Sequence, residues 1–336
     1  MTPPSSPSLH VVLLGCGRVA ARHAAVLRRI HPEVKLSFAS RDRHRAEAYV
    51  QRFSGEKAFG SYDEALADSK VDAVLILTPP RWHLELTRRA LSFKKHVLVE
   101  KPPFVHSTDF DIVIEEARRV GRQVMVAENY FYKPLLIRLR SLLAEGVIGD
   151  VLFLHINAIK KQRTGDWRDD PKLAVGGALY EGGIHWMNFV SNLGLTVQRV
   201  TGFRPGLAQG SNVERSMMVG LEYAEGAVGM VSYSWEVPSL LWGIRLSKIY
   251  GRQGTITFET NGLWVLVHGK KNRFIIPGLR DLTGGQAMLR DFVASVRDNR
   301  APRFTLIQAK RDLEIVEEAY ASADHSPSGL MRSSGT

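Results

Sequence analysis

The stretch His10-Val11-Val12-Leu13-Leu14-Gly15-Cys16-Gly17-Arg18-Val19-Ala20 decides the fold. Its first part, His10–Gly15, is apolar with little polar alternation, which is how a strand buried on both faces of a parallel sheet is written. Two glycines spaced by one residue follow at once, and a helical pattern, Val19–Ile30, begins behind them. Glycine permits the tight turn and lets the backbone approach a pyrophosphate, while Ala20 supplies the small residue where helix packs on strand. The helix N-terminus adds free N–H groups and a favourable dipole for an anion. Gly15, Gly17, Arg18, Val19 and Ala20 are therefore expected to hold the phosphates of a dinucleotide; the competing reading is a purely structural glycine turn.

Outward from this turn, strands and helices alternate. Val34–Ser40, Val71–Thr78, Lys95–Glu100 and Gln123–Glu128 read as further buried strands, with helical patterns at Arg43–Phe53, His83–Ser92 and Thr108–Gly121 between them. Such alternation predicts a doubly wound α/β sheet. After about residue 135 the texture changes to strands joined by short links such as Ala224-Glu225-Gly226 and Gly251-Arg252-Gln253-Gly254, which argue for antiparallel pairing. Two helical segments follow, Gly284–Asn299 and Leu306–Ala323. The expected architecture is a Rossmann domain over 1–134, with 1–8 a loose leader. An α+β domain built on an open, mostly antiparallel sheet follows over 135–325, and then a loose tail over 326–336.

Composition narrows the class. With 336 residues, 44% hydrophobic and 24% charged, the chain has globular proportions and length for two domains. Its single cysteine, Cys16, makes no internal disulfide, so a stapled secreted scaffold is excluded and a reducing, cytoplasmic setting is expected. The apolar residues before Cys16 resemble a lipoprotein signal, but no Lys or Arg precedes them. No apolar run reaches the roughly 18 residues of a membrane span. The net charge of +11 divides into 21 Lys+Arg against 15 Asp+Glu over 1–134 and 24 against 19 thereafter, so it is not gathered into a nucleic-acid-binding patch. His and acidic residues show no ligand-like spacing for a metal.

The second strand ends in Ala39-Ser40-Arg41-Asp42, with Arg43, His44 and Arg45 behind it. An NAD-selective site places an acid here for the ribose 2′-hydroxyl, whereas a hydroxyl and guanidinium suit a 2′-phosphate. Ser40, Arg41 and His44 therefore favour NADP(H) over NAD(H), with Asp42 as the acid in the rival reading.

Two more stretches lie at strand ends, where ligands bind in open α/β sheets: Thr78-Pro79-Pro80-Arg81-Trp82-His83 and Glu100-Lys101-Pro102. Together with Gly15-x-Gly17-x-x-Ala20 and the stretch Asp166-Trp167-Arg168 … Gly176-Gly177-Ala178-Leu179-Tyr180-Glu181-Gly182-Gly183-Ile184-His185, they resemble the Gfo/Idh/MocA oxidoreductase family, in the same order and over roughly residues 9–320. The resemblance implies NAD(P)-dependent chemistry on a carbohydrate or polyol. It implies that Thr78, Pro79, Pro80, His83, Glu100, Lys101 and Asn129 border the cofactor. Lys101 then lies beside the reacting oxygen, where hydride transfer requires a proton to leave or arrive. His185 matches the family histidine, with Glu181 in place of the usual Asp; both join Lys101 as the expected catalytic group. If Leu179–Leu193 is helical, Glu181 and His185 share a face at i, i+4. Asn188 stands where an acid is common. Lys101, Tyr132, Trp167, Arg168 and His185 are the expected substrate contacts, and Trp235 and Trp242 offer rings for stacking or packing.

The leading expectation is an NADP(H)-dependent oxidoreductase interconverting a secondary alcohol and a ketone on a sugar, sugar derivative or cyclitol. One alternative keeps the cofactor bound for transient oxidation in a redox-neutral elimination or glycosidic cleavage. Another is a nucleotide-sensing regulatory protein without catalysis. The family resemblance also implies a homo-oligomer, dimer or tetramer, formed through the second domain's sheet.

Overall fold

The computed structural model describes residues 8–162, 175–206, 213–238 and 243–324. These form two compact units. One runs to Glu128 and includes Gly285–Ala309; the other comprises Asn129–Gly284 and the chain from Lys310. The sequence reading kept the 284–299 helix with the second part, whereas it packs against the first helix of the first unit.

The first unit contains β1 (His10–Leu14), α1 (Arg18–Ile30), β2 (Lys35–Ala39), α2 (Arg43–Phe53), β3 (Ala58–Phe59), α3 (Tyr62–Ala67), β4 (Ala73–Ile76), α4 (His83–Ser92), β5 (His96–Val99), α5 (Asp109–Val120) and β6 (Val124–Val126). The strands pair in parallel in the order β3-β2-β1-β4-β5-β6. Strand order reverses between β1 and β4, and a ligand crevice forms outside the carboxyl ends at such a point. Every residue of β1 and β4 is buried, so Val11–Leu14 is a central strand, which accounts for its apolar run without a signal segment. The short β3 and α3 lie below the reach of periodicity, yet α3 carried a local sign. Ser61 accepts from the Glu64 N–H at 3.1 Å, the Ser-x-x-Glu pattern of a helix start.

The second unit opens with α6 (Pro134–Ala144), and continues with β7 (Val151–Ile159), the π-helical turn Leu179–Gly183, α7 (Ile184–Ser191), β8 (Val197–Phe203), β9 (Ser216–Tyr223), β10 (Val228–Ser234), β11 (Leu246–Gly251), β12 (Gly254–Glu259), β13 (Val265–His268) and β14 (Arg273–Ile275). Then α8 (Gly285–Arg297) belongs to the first unit, and α9 (Leu306–Asp324) ends the described chain. The sheet order is β14-β13-β12-β11-β7-β10-β9-β8, antiparallel except where β10 pairs with β7 in parallel. That exception follows from connectivity. The β7–β8 link contains a helix, as a crossover can, and the β8-β9-β10 meander then brings β10 alongside β7 in the same direction.

Register sorts this sheet into two faces. The inner face carries Leu154, Ile156, Val219, Leu221, Val231, Ile249, Ile256 and Phe258, all nearly or fully buried, with the Phe189 ring of α7 tilted 34° against Phe258 at 6.1 Å. The outer face aligns Phe203, Met218, Val228, Phe153, Leu246, Leu266 and Phe274, all exposed. The backbone of α9 rests directly on β8, because a β-carbon added at Gly202 would strike the Ala319 carbonyl oxygen. Gly202→Ala is therefore expected to lift α9 from the sheet and cost about 2 kcal/mol or more, the range for overpacking, measured by chemical denaturation; parental stability would contradict this packing.

Candidate functional site

The glycine turn has the geometry that a phosphate requires. Gly15 adopts φ +109°, closed to most side chains, and a β-carbon there would stand 3.0 Å from the Leu77 carbonyl oxygen. Gly17 is the N-cap of α1, with no side chain capping the helix and no acid in its first turn. A β-carbon on Gly17 would meet nothing within 4 Å. Open space over backbone N–H groups fits an anion at a helix N-terminus. Ala20 is fully buried as the packing residue, while Arg18 and Val19 are exposed at the helix start. The Cys16 thiol leans toward the Ala39 carbonyl at 3.8 Å, and burial pushes its ionisation up to about 11. It is an inert filler of the turn. Tyr49, which the sequence did not flag, donates from α2 to the Gly17 carbonyl at 3.0 Å.

At the end of β2, Ser40 is buried and its hydroxyl accepts from the Asp42 N–H at 3.2 Å. Asp42 caps α2 by accepting from the His44 N–H at 3.1 Å, and it also pairs with Arg45 at 3.4 Å. Arg43 and His44 each pair with Glu47, at 3.2 and 3.3 Å. Arg41 has no carboxylate partner among the described residues. The basic run thus divides into self-paired helix residues and one guanidinium outside those pairs.

Beyond β4 the chain passes through Thr78-Pro79 into a short 3₁₀ turn, Pro80–Trp82. His83 is fully buried, with Nδ1 2.9 Å from the Pro102 carbonyl and Nε2 2.7 Å from the Thr78 carbonyl. It stands between the Thr78 loop and the Glu100-Lys101-Pro102 turn, and because burial lowers its pKa the neutral ring donates to one of the two carbonyls. Glu100 accepts from the Lys101 backbone N–H at 3.0 Å and pairs with His23 of α1 at 2.7 Å. Burial raises the cost of the Glu100 charge, yet His23 and the Lys101 ammonium keep its pKa below the ordinary carboxylate value. Both carboxylate oxygens are engaged by the protein.

In the second unit, the segment around His185 is not the continuous α-helix assumed. Leu179–Gly183 winds as a π-turn before α7 begins, so Glu181 and His185 do not sit on a regular i, i+4 face. Glu181 is buried near the Tyr233 phenol, whose ionisation is raised by burial first and by Glu181 second. The half-buried His185 ring stacks on Tyr130 with centroids 4.5 Å apart at 13°. The Lys133 ammonium lies 4.3 Å from the same Tyr130 ring, and Trp186 meets it edge-on at 5.2 Å.

Tyr132, expected on substrate, is only 1% exposed and packs edge-on against Phe131, so Tyr130 is the aromatic residue that this loop presents to His185. The Asn129 amide donates to the Thr283 carbonyl at 2.6 Å. Asn188 is fully buried and donates to Asp312 of α9 at 2.7 Å, where a second carboxylate would repel the first. Trp235 is buried and donates to the Tyr233 hydroxyl at 2.6 Å, a packing role. Trp167, Arg168 and Trp242 lie outside the described residues. Among the described residues, no group of three or more His, Cys, Asp or Glu side chains is placed to share a metal, and no helix is long and apolar enough to cross a membrane.

Two family models match the chain: "Oxidoreductase family, NAD-binding Rossmann fold" over residues 9–128, and "GFO/IDH/MocA C-terminal domain" over 136–257. The trans-1,2-dihydrobenzene-1,2-diol dehydrogenase of Mus musculus is 27% identical over 301 residues, covering 84% of this chain and 87% of the relative. The D-xylose 1-dehydrogenase (NADP(+)) 2 of Haloferax volcanii is 26% identical, covering 86% and 89%. The crystal structure of GenD2 from gentamicin A biosynthesis, in complex with NAD, superposes with a TM-score of 0.82 at 25% identity and covers 95% of each chain.

A buried carboxylate holds the start of the π-turn. The Glu214 side chain accepts from the Leu179 N–H at 2.8 Å and the Tyr320 hydroxyl at 2.9 Å, while its own carbonyl accepts from Ala178. Burial outweighs these bonds and pushes the Glu214 carboxyl up to about 7. The folded state thus binds a proton that the unfolded chain releases at lower pH, so this group's contribution to stability falls as pH rises from the ordinary carboxylate range to about 7. Glu214→Gln keeps an acceptor and is expected to remove that slope, gaining on the order of 3 kcal/mol at alkaline pH. Denaturation across pH checks this; an unchanged slope contradicts it.

Proposed function

Because the chain belongs to the Gfo/Idh/MocA oxidoreductase family, we propose that it is an NADP(H)-dependent dehydrogenase interconverting a secondary alcohol and a ketone on a sugar, sugar derivative or cyclitol. The observation that carries the reading is in the first unit: an uncapped helix N-terminus behind Gly15, on the same sheet edge as the Glu100-Lys101-Pro102 turn. The named relatives act on sugars or diols, which supports the substrate class.

In this reading the backbone of Gly15–Val19 and the N-terminus of α1 hold the pyrophosphate, and Thr78-Pro79-Pro80 forms the neighbouring wall. The nicotinamide, when bound, takes or gives the hydride. Lys101 takes the proton from the reacting hydroxyl during oxidation and returns it to the oxygen during reduction. His185, kept in orientation by its stack on Tyr130, hydrogen-bonds the substrate hydroxyls, and the Lys133 ammonium beside Tyr130 favours an oxygen-rich, electronegative ligand. Arg41, unpaired by any carboxylate among the described residues, meets the 2′-phosphate with Ser40 beside it. The apolar row on the outer face of the eight-stranded sheet supports a homo-oligomer closed over that face. The lone Cys16, inert inside its turn, suits a cytoplasmic enzyme.

Lys101→Met is expected to lower turnover at least about a hundredfold, the lower range for general acid–base catalysis, with cofactor affinity nearly kept; parental turnover would remove Lys101 from the mechanism. In fluorescence titrations NADPH is expected to bind more tightly than NADH, and Arg41→Ala to weaken NADPH alone by about tenfold, as loss of one charged hydrogen bond does. Equal or tighter NADH binding would remove the 2′-phosphate assignment.

A further inference from the structure

Lys101 sits between two residues that are each fastened by a histidine from a different helix. On one side Glu100 bridges the Lys101 backbone N–H (3.0 Å) and the His23 ring (2.7 Å). On the other, the Pro102 carbonyl faces His83 Nδ1 at 2.9 Å, while His83 Nε2 faces the Thr78 carbonyl at 2.7 Å. Both rings are buried, His23 at 7% and His83 at 1% exposure. From these contacts we infer that His23 and His83 are positioning residues that fix the turn carrying Lys101. The inference rests on the proposed role of Lys101.

The physical case is one of reach. A lysine places its ammonium at the end of four rotatable bonds, so its accuracy begins with a fixed backbone. A shift of about 1 Å at a reacting group can cost a hundredfold in rate. His23 stands on α1, the helix whose N-terminus follows the glycine turn. One buried hydrogen bond therefore ties the phosphate-holding helix to the lysine-bearing turn, so the dinucleotide end and the acid/base group share a single frame. His83 fills the space between the same turn and the Thr78 loop at the switch point, its one N–H donating to one of the two carbonyls. Removing either ring also leaves a buried acceptor without its donor, which favours a relaxed turn.

His23→Leu is expected to lower kcat at least about tenfold while the cofactor Kd and the substrate KM change less than about threefold, the split that misplacement of a reacting group gives. His23→Gln, whose amide retains a donor toward Glu100, is expected to recover most of kcat. A purely structural histidine would instead move stability and Kd together, with no rescue specific to kcat. If His23→Leu fails to fold, Glu100→Gln is measured in the same way. A separate readout does not need turnover: the rate of reductive methylation at Lys101, followed by peptide mass spectrometry with Lys35 as internal reference, is expected to rise at least about threefold in His23→Leu as the turn loosens. Parental kcat, or a parental Lys101 labelling rate, overturns the inference. A wild-type protein that oxidises no sugar, yet shows the labelling change, would refute the proposed function and leave the positioning intact.

Discussion

The first unit depends on one close crossing. At the end of β1 the chain turns through Gly15 at φ +109°, with the Leu77 carbonyl 3.0 Å from where a β-carbon would stand. The crossing lies where the strand order reverses, between β1 and β4. It lets α1 start immediately, leaves the helix N-terminus without a side-chain cap, and sets the phase that brings His23 round to Glu100. A larger residue would push β1 away from the Thr78 loop and break both arrangements. One backbone torsion thus links the start of α1 to the placement of Lys101.

The second unit relies on buried polar contacts instead. The π-turn before α7 is held by Glu214 and Tyr320 from below, and α7 is anchored to α9 through Asn188 and Asp312. A buried carboxyl whose pKa lies near 7 is costly, so its retention points to precise placement of the segment carrying Glu181 and His185. Tyr130 then fixes the His185 ring by stacking, without drawing on its nitrogens.

Much of this was legible in the sequence, for physical reasons that differ from place to place. Strands such as Val11–Leu14 are buried on both faces, so composition alone reveals them. The glycine turn announces itself because only glycine meets its torsion and its space. The hairpins of the second sheet show through their short turn-like links, whereas the outer apolar row emerges only from the register. What stayed hidden depends on partners distant in sequence. Tyr130 and Tyr132 look alike in Asn129-Tyr130-Phe131-Tyr132, and only the fold buries one and stacks the other on His185. The hydrogen bond of Glu100 with His23, 77 residues earlier, leaves no local sign. Glu214 had no local signal, because its acceptors serve a turn 35 residues away. The π-turn escaped because helical spacing through Gly182-Gly183 does not reveal which helix is made.

The central claim is net hydride transfer between NADP(H) and a carbohydrate-like alcohol. The most direct measurement incubates the purified full chain with NADP⁺ against a panel of sugars, sugar phosphates, 3-keto sugars and inositols, following nicotinamide absorbance and product together. The account predicts that at least one alcohol is converted to its ketone with one NADPH formed per product. Turnover of a sugar without consumption of added cofactor, or cofactor binding with no reaction across the panel, would contradict it.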